Sequence, residues 1–138
     1  MKPSRLALPC LVLGAALAGP AQAQTEIQWW HSMGGALGEW VNDLAKDYNA
    51  SQKDYKIVPT FKGSYDESMT AAIAAFRAGN APHILQVFEV GTATMMASKG
   101  AVVPVGKVMA DAGQKFDPKI YVPAVAGYYT APNGQMLS

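Results

Sequence analysis

The 138-residue sequence predicts an α/β fold, a parallel-sheet core with flanking helices. Three observations carry that expectation. Between Thr25 and Lys99, short β-prone runs alternate three times with runs of helical periodicity. A glycine-bearing turn follows each β-prone run, at Gly34-Gly35, Gly63 and Gly91. The third run, His83 to Val87 (HILQV), is apolar enough for a strand buried on both faces, as strands of parallel sheets are. Strands separated by helices in this order run parallel and are joined by right-handed crossovers.

Thr25 to Trp30 is the first strand, and His31-Ser32-Met33-Gly34-Gly35 breaks it. From Ala36 to Asn49, Leu37, Trp40, Val41, Leu44, Ala45 and Tyr48 recur at helical spacing, with Glu39, Asn42, Asp43, Lys46 and Asp47 opposite. Asn49 to Asp54 is turn-like, and Tyr55 to Phe61 is the second strand. Pro59 restricts that strand to an edge or a bulge, because its ring nitrogen cannot donate to a ladder. After Gly63, Ser64 and Glu67 have the spacing of a capping box and open a second helix. Met69, Ala72, Ile73 and Phe76 form its apolar stripe, and Gly79 stops it ahead of Asn80-Ala81-Pro82. A short helix over Thr92 to Lys99 follows HILQV. Beyond it come a loop from Gly100 to Val105, a helix ending at Ala112 and a turn of helix from Asp117-Pro118. Last is a hairpin in which Gly127 to Thr130 and Gln135 to Leu137 flank Asn133-Gly134. The chain stops inside the second strand of that hairpin while the sheet keeps open edges, so a truncated protein is expected.

The amino terminus has a different logic. Lys2 and Arg5 precede an apolar run from Leu6 to Gly19, then Pro20 and the triplet Ala21-Gln22-Ala23. This is the order of a secretory signal peptide, residues 1–23, cleaved after Ala23. A membrane anchor needs about 18 or more apolar residues, and this run is shorter and broken by Pro9 and Pro20. Cys10 is the one cysteine and lies in the segment to be removed. Disulfides, thiolate metal sites and cysteine nucleophiles are thereby excluded from the mature chain, residues 24–138. Without Lys2 and Arg5, nine basic residues face ten acidic ones, a formal charge of −1 with no basic stripe. Nucleic acid is therefore not an expected partner. His31 and His83 are far apart in sequence and lack carboxylates at ligand spacing, so neither a metal nor a cofactor is expected.

In an open parallel sheet, ligands bind beyond the carboxyl ends of the strands. Three loops of this chain qualify, at His31 to Gly35, Gly63 to Tyr65 and Glu89 to Thr92. Glu89, just after a buried strand, can accept hydrogen bonds from the hydroxyls of a polyol. Position alone leaves a second role open, as a cap or a solvated carboxylate at the helix entrance. Tyr65 offers an aromatic face and a phenol at a helix start, or else covers an apolar edge. His31 and Ser32 shape a turn whose free N–H groups suit an anion. As a nucleophile pair they are poor candidates, since adjacent residues rarely reach the required geometry and no G-x-S-x-G elbow is present. Gly34, Gly35 and Gly38 do not make a dinucleotide-binding G-x-G-x-x-G, because Ala36 occupies the second glycine position. Met95-Met96 is read as core packing.

A resemblance then sharpens these alternatives. Trp30-His31-Ser32-Met33 with Gly35, Leu37 and Gly38, the run Asp54 to Thr60, Ala74-Ala75-Phe76-Arg77 with Gly79-Asn80-Ala81-Pro82, and Glu89-Val90-Gly91-Thr92-Ala93-Thr94-Met95-Met96-Ala97-Ser98-Lys99 resemble one family. It is that of the periplasmic glycerol-3-phosphate-binding proteins of Ugp-type ABC importers, within the wider group of maltose-type solute-binding proteins. The resemblance covers the whole mature segment. It implies the first part of the amino-terminal lobe of a two-lobed receptor that closes over its solute and hands it to ABC permease subunits in the inner membrane. Full-length members are much longer than this chain. The tyrosine of the G-x-Y turn and the glutamate before V-G-T-A-T-M-M bind ligand in that family, which implies substrate-binding roles for Tyr65 and Glu89 and no catalytic residue. The implied solute is glycerol 3-phosphate, a glycerophosphodiester or a related small polyol phosphate. The alternatives are a receptor for another sugar or polyol, or a secreted hydrolase using His31 and Ser32. Phe88 stands where close relatives are expected to carry tyrosine, and His83 where they carry a small residue.

Overall fold

The computed structural model of the chain describes residues 24–98 and 100–138; the signal segment expected over 1–23 lies outside them, as does Lys99. Strand β1 (Thr25–His31) leads into helix α1 (Gly35–Ser51), strand β2 (Tyr55–Phe61) into helix α2 (Tyr65–Arg77), and strand β3 (Ile84–Leu85) into helix α3 (Glu89–Ala97). Helix α4 (Val105–Asp111), a single 3-10 turn at Pro118–Ile120 and helix α5 (Pro123–Tyr128) complete the described chain. The strands form one parallel sheet in the order β2-β1-β3. Thr25 pairs with Tyr55 and the register runs unbroken to His31 with Phe61, while Trp29 and Trp30 pair with Ile84 and Leu85.

The edge position of β2 explains its sequence. Lys62 N–H donates to the His31 carbonyl, so alternation turns the N–H groups of Tyr55, Ile57 and Phe61 away from β1. Pro59 falls in that outward set, where no donor is needed. The outward groups of Ile57 are taken by the Asn49 side chain, whose Oδ1 accepts the Ile57 N–H at 2.7 Å and whose Nδ2 donates to the Ile57 carbonyl at 2.9 Å. Gln52 treats Tyr55 likewise, accepting its N–H at 2.8 Å and donating to its carbonyl at 2.6 Å. Two side chains from the end of α1 thus close an edge that would otherwise recruit another strand.

Helix α2 starts as its spacing predicts. Ser64 Oγ accepts the Glu67 N–H at 3.3 Å while the Glu67 carboxylate accepts the Ser64 N–H at 2.7 Å, a complete capping box. Gly63 sits at φ +81°, and a Cβ there would come within 2.3 Å of that carboxylate. The backbone angle is what favours glycine here, and a Cβ would also displace the end of the Glu67 side chain.

The core is small: Val41, Ala45 and Ala72 are its buried apolar residues. Several expectations change here. Helix α1 packs through Gly38, Val41 and Ala45, and Gly38 lies so close to the Met33 carbonyl that a Cβ would approach it to 2.7 Å. The neighbouring stripe of Leu37, Trp40, Leu44 and Tyr48, expected to be buried, is exposed. A three-stranded sheet covers one stripe of a helix but not two. In α2, the expected stripe holds at Ala72, which is buried, and at Met69 and Ile73, which are half-buried, but Phe76 is exposed and Ser68, beside the stripe, is fully buried. Strand β3 is two residues rather than five and is not buried on both faces, Ile84 being 43% exposed. It lies at the sheet's second edge, with no strand beyond it among the described residues. Helix α3 begins at Glu89, three residues before its expected start. The terminal hairpin is reduced to one antiparallel bridge, Thr130 to Met136, because Gly127 and Tyr128 belong to α5 instead.

Candidate ligand-binding site

The strand order β2-β1-β3 reverses direction at β1: the chain steps from β1 to β2 on one side, then passes back to β3 on the other. Such a reversal separates the loops at the carboxyl ends of the strands and opens a crevice between them. Tyr65 and Glu89 are the first residues of the helices that follow the two outer strands, α2 after β2 and α3 after β3. They therefore flank the carboxyl end of β1 at one end of the sheet. Tyr65 is half-buried and Glu89 exposed.

Four contacts draw the loops together across the end of β1. The Tyr65 ring stacks on Phe88, centroids 5.0 Å apart at 24°, which brings the residue beside Glu89 onto the start of α2. The Ser32 N–H donates to Gln86 Oε1 at 3.0 Å, tying the β1–α1 turn to the β3–α3 loop, and Gln86 N–H donates to the Trp30 carbonyl at 2.9 Å. Gln86 so prolongs, with its side chain, a ladder that β3 itself drops after Leu85. Lys62 Nζ lies 3.9 Å from the centre of the Trp30 ring, a cation–π contact at the same end of the sheet.

His31 forms the floor under these loops. It is 3% exposed, with Trp29 and Phe61 rings 6.0 and 6.1 Å from its own. Burial pushes its imidazole below the ordinary pKa of 6.5. Its Nδ1 accepts the Met33 N–H at 3.3 Å, and Ser32 Oγ is buried without a hydrogen-bond partner among the described residues. The two residues are therefore not joined as nucleophile and base, and the hydrolase alternative has no geometry to stand on. His83 has a local task as well, since its Nδ1 accepts the Gln28 N–H at 3.0 Å where β3 begins. Among the described residues no three His, Cys, Asp or Glu side chains gather as a metal site would require, and no helix is long and apolar enough to cross a membrane.

An apolar groove of about 760 Å³ lies away from this end, among α2, β3, α3 and the carboxyl-terminal segment. Phe76, Leu85, Met95, Met96, Val103 and Tyr129 line it, and neither Tyr65 nor Glu89 does. Its size does not make it the site. It has the character of incompletely covered core, and it is where Met95 and Met96 do their packing.

Phe88, Gln86 and Tyr128, whose phenol donates to the Glu89 carbonyl, were not among the sequence-predicted site residues. Phe88 had a signal, an aromatic side chain directly before the glutamate. Gln86 and Tyr128 had none, because their partners lie 54 and 39 residues away.

A parallel α/β sheet presenting polar and aromatic residues at a strand-order reversal has the architecture in which open α/β sheets take up ligands. The chain belongs to the bacterial extracellular solute-binding protein family, whose model matches residues 15–134. Within it, the chain is 56% identical over 139 aligned positions to the sn-glycerol-3-phosphate-binding periplasmic protein UgpB of Escherichia coli strain K12, covering 100% of this chain and 32% of that protein. The protein of the same name from Shigella flexneri serotype 5b, strain 8401, matches equally, at 56% identity and the same coverage. This chain thus spans about a third of the length of these relatives. Among solved structures, the ABC substrate-binding protein Lmo0181 from Listeria monocytogenes, in complex with cycloalternan, superposes with a TM-score of 0.62 over 81% of this chain and 28% of that one. At 19% identity that likeness is one of fold alone.

Proposed function

We propose that this chain is part of the substrate-binding component of an ABC importer, capturing glycerol 3-phosphate or a closely related polyol phosphate in the periplasm for delivery to permease subunits in the inner membrane. Residues 1–23 are its signal peptide, cleaved after Ala23, and residues 24–138 belong to the amino-terminal lobe. The observation that carries this reading is the 56% identity, along the whole chain, to relatives named for binding that solute. The placement of Tyr65 and Glu89 at the first turns of helices flanking the strand-order reversal supports it physically. In this reading Glu89 accepts hydrogen bonds from the glycerol hydroxyls, and the Tyr65 ring packs on the carbon chain with its phenol available as donor.

The test is a hybrid in which residues 24–138 replace the matching part of the E. coli relative. Calorimetric titration with glycerol 3-phosphate, a glycerophosphodiester and maltose should give binding of the phosphorylated ligands. Replacing Glu89 with Ala should weaken that binding by about 1 to 3 kcal/mol, the cost of leaving polar partners unpaired. Unchanged affinity would remove Glu89 from the site, and a preference for maltose would move the reading to a sugar receptor.

A further inference from the structure

The side chain of Tyr128 reaches Glu89 from the far end of the chain: its phenolic O–H donates to the Glu89 carbonyl at 2.5 Å across 39 residues of sequence. The geometry makes this contact consequential. Helix α3 begins at Glu89, and Phe88 at its N-cap supplies no side-chain cap. Among the described residues the Glu89 carboxylate has no hydrogen-bond or ion-pair partner. The backbone at the start of α3 sets the Cα–Cβ bond from which the Glu89 side chain departs, and with it the region its carboxylate can reach. A carbonyl in the first turn of a helix keeps a second lone pair after its intrahelical bond, and the Tyr128 phenol occupies that position. The ring is 52% exposed, so burial accounts for little of what it does. It is braced by Tyr129, edge to face at 5.1 Å and 82°, and it closes a helix that Pro123 starts.

We infer that Tyr128 is a positioning residue for Glu89: its hydroxyl fixes the first turn of α3 and thereby the point from which the Glu89 side chain reaches the ligand. The inference rests on Glu89 being the ligand acceptor proposed above. It adds a residue that touches the backbone of the site and not the solute, and it couples the carboxyl-terminal segment to the affinity of a site formed near the middle of the chain.

The experiment is a double-mutant cycle in the same hybrid, with glycerol 3-phosphate as the probe, over Tyr128→Phe, Glu89→Ala and the pair. Tyr128→Phe alone should weaken binding about three- to tenfold, the range expected for one hydrogen bond. In the Glu89→Ala background the same substitution should have no further effect. A merely structural tyrosine would weaken both backgrounds by the same factor, and that outcome overturns the inference, as does unchanged affinity of Tyr128→Phe alone. Hydrogen exchange over residues 89–93 of the 138-residue chain, wild type against Tyr128→Phe, gives a reading that needs no ligand. Faster exchange confined to this turn supports the tie, and equal exchange overturns it. If the unsubstituted hybrid fails to bind glycerol 3-phosphate, the functional reading falls, while the exchange result still decides whether Tyr128 holds Glu89.

Discussion

Ser64 and His31 carry the most separable residue-level effects. Ser64→Ala removes the acceptor for the Glu67 N–H and should cost about 1 kcal/mol in urea unfolding, the usual worth of such a cap. Hydrogen bonds from the Ser64 backbone and then its hydroxyl hold the Glu67 carboxyl below its ordinary 4.5. The sign follows from the direction: the cap contributes fully above pH 4.5 and is lost as pH falls through the lowered folded value. His31 works in the same direction for another reason. Its burial favours the neutral ring, so the unfolded chain binds a proton more readily. Stability should be level above pH 6.5 and fall as pH drops below it. Melting curves from pH 8 to pH 5 check this, and a His31→Gln variant should lose the slope in that window.

At the scale of elements, β2 is the instructive case. The edge placement that Pro59 requires is readable in the sequence and survives in the structure, whereas burial along β2 does not alternate, Ile57 to Thr60 all being half-buried. That Asn49 and Gln52 cover its outer edge is not readable, because a polar turn after a helix looks the same whether its side chains meet water or a strand. Asn49→Ala removes both bonds to Ile57 and should destabilise the chain by about 1 to 2 kcal/mol, measurable by urea unfolding. It should also raise concentration-dependent association by baring the edge, measurable by light scattering; an unchanged monomer would show that Pro59 and Gln52 suffice. Strand β3 and helix α3 show the opposite error. HILQV reads as a buried strand on composition, yet only Ile84 and Leu85 pair, because the ladder to β1 passes after Leu85 to the main-chain N–H and side-chain amide of Gln86. The earlier start of α3 moves Glu89 from a loop into a helical turn, which is what lets backbone contacts aim it.

The molecule as a whole is dominated by what it leaves uncovered. Leu37, Trp40, Leu44 and Tyr48 on α1, Val122 and Val125 near α5, and the groove between α2 and α3 are apolar surface of a kind that proteins bury against further structure. In the relatives, about two-thirds of the length lies outside the matched part. Recognition of a small polar solute requires burying most of its surface, and the described residues offer one exposed carboxylate and one half-buried phenol at an open end of a sheet. On the proposed function, the isolated 138-residue chain should therefore bind glycerol 3-phosphate far more weakly than the hybrid, in which the rest of the relative's chain can add to the burial of the solute. Calorimetry on both proteins makes the comparison. Micromolar binding by the isolated chain would show that this end of the sheet suffices.

The sequence by itself determined the alternation of strand and helix from β1 to α2, the capping box at Ser64 and Glu67, and the edge placement of Pro59. It also determined that Tyr65 and Glu89 follow strands, Tyr65 at a helix start and Glu89 in the loop before a helix. These are local properties: hydrophobic spacing, a missing N–H, a side chain that reaches three residues. Which apolar stripe of α1 is buried, where β3 ends, and how Phe88, Gln86 and Tyr128 assemble around the candidate site were decided by tertiary structure alone. Each depends on a partner tens of residues away, and periodicity carries no information about which of two equally apolar faces a finite sheet can cover.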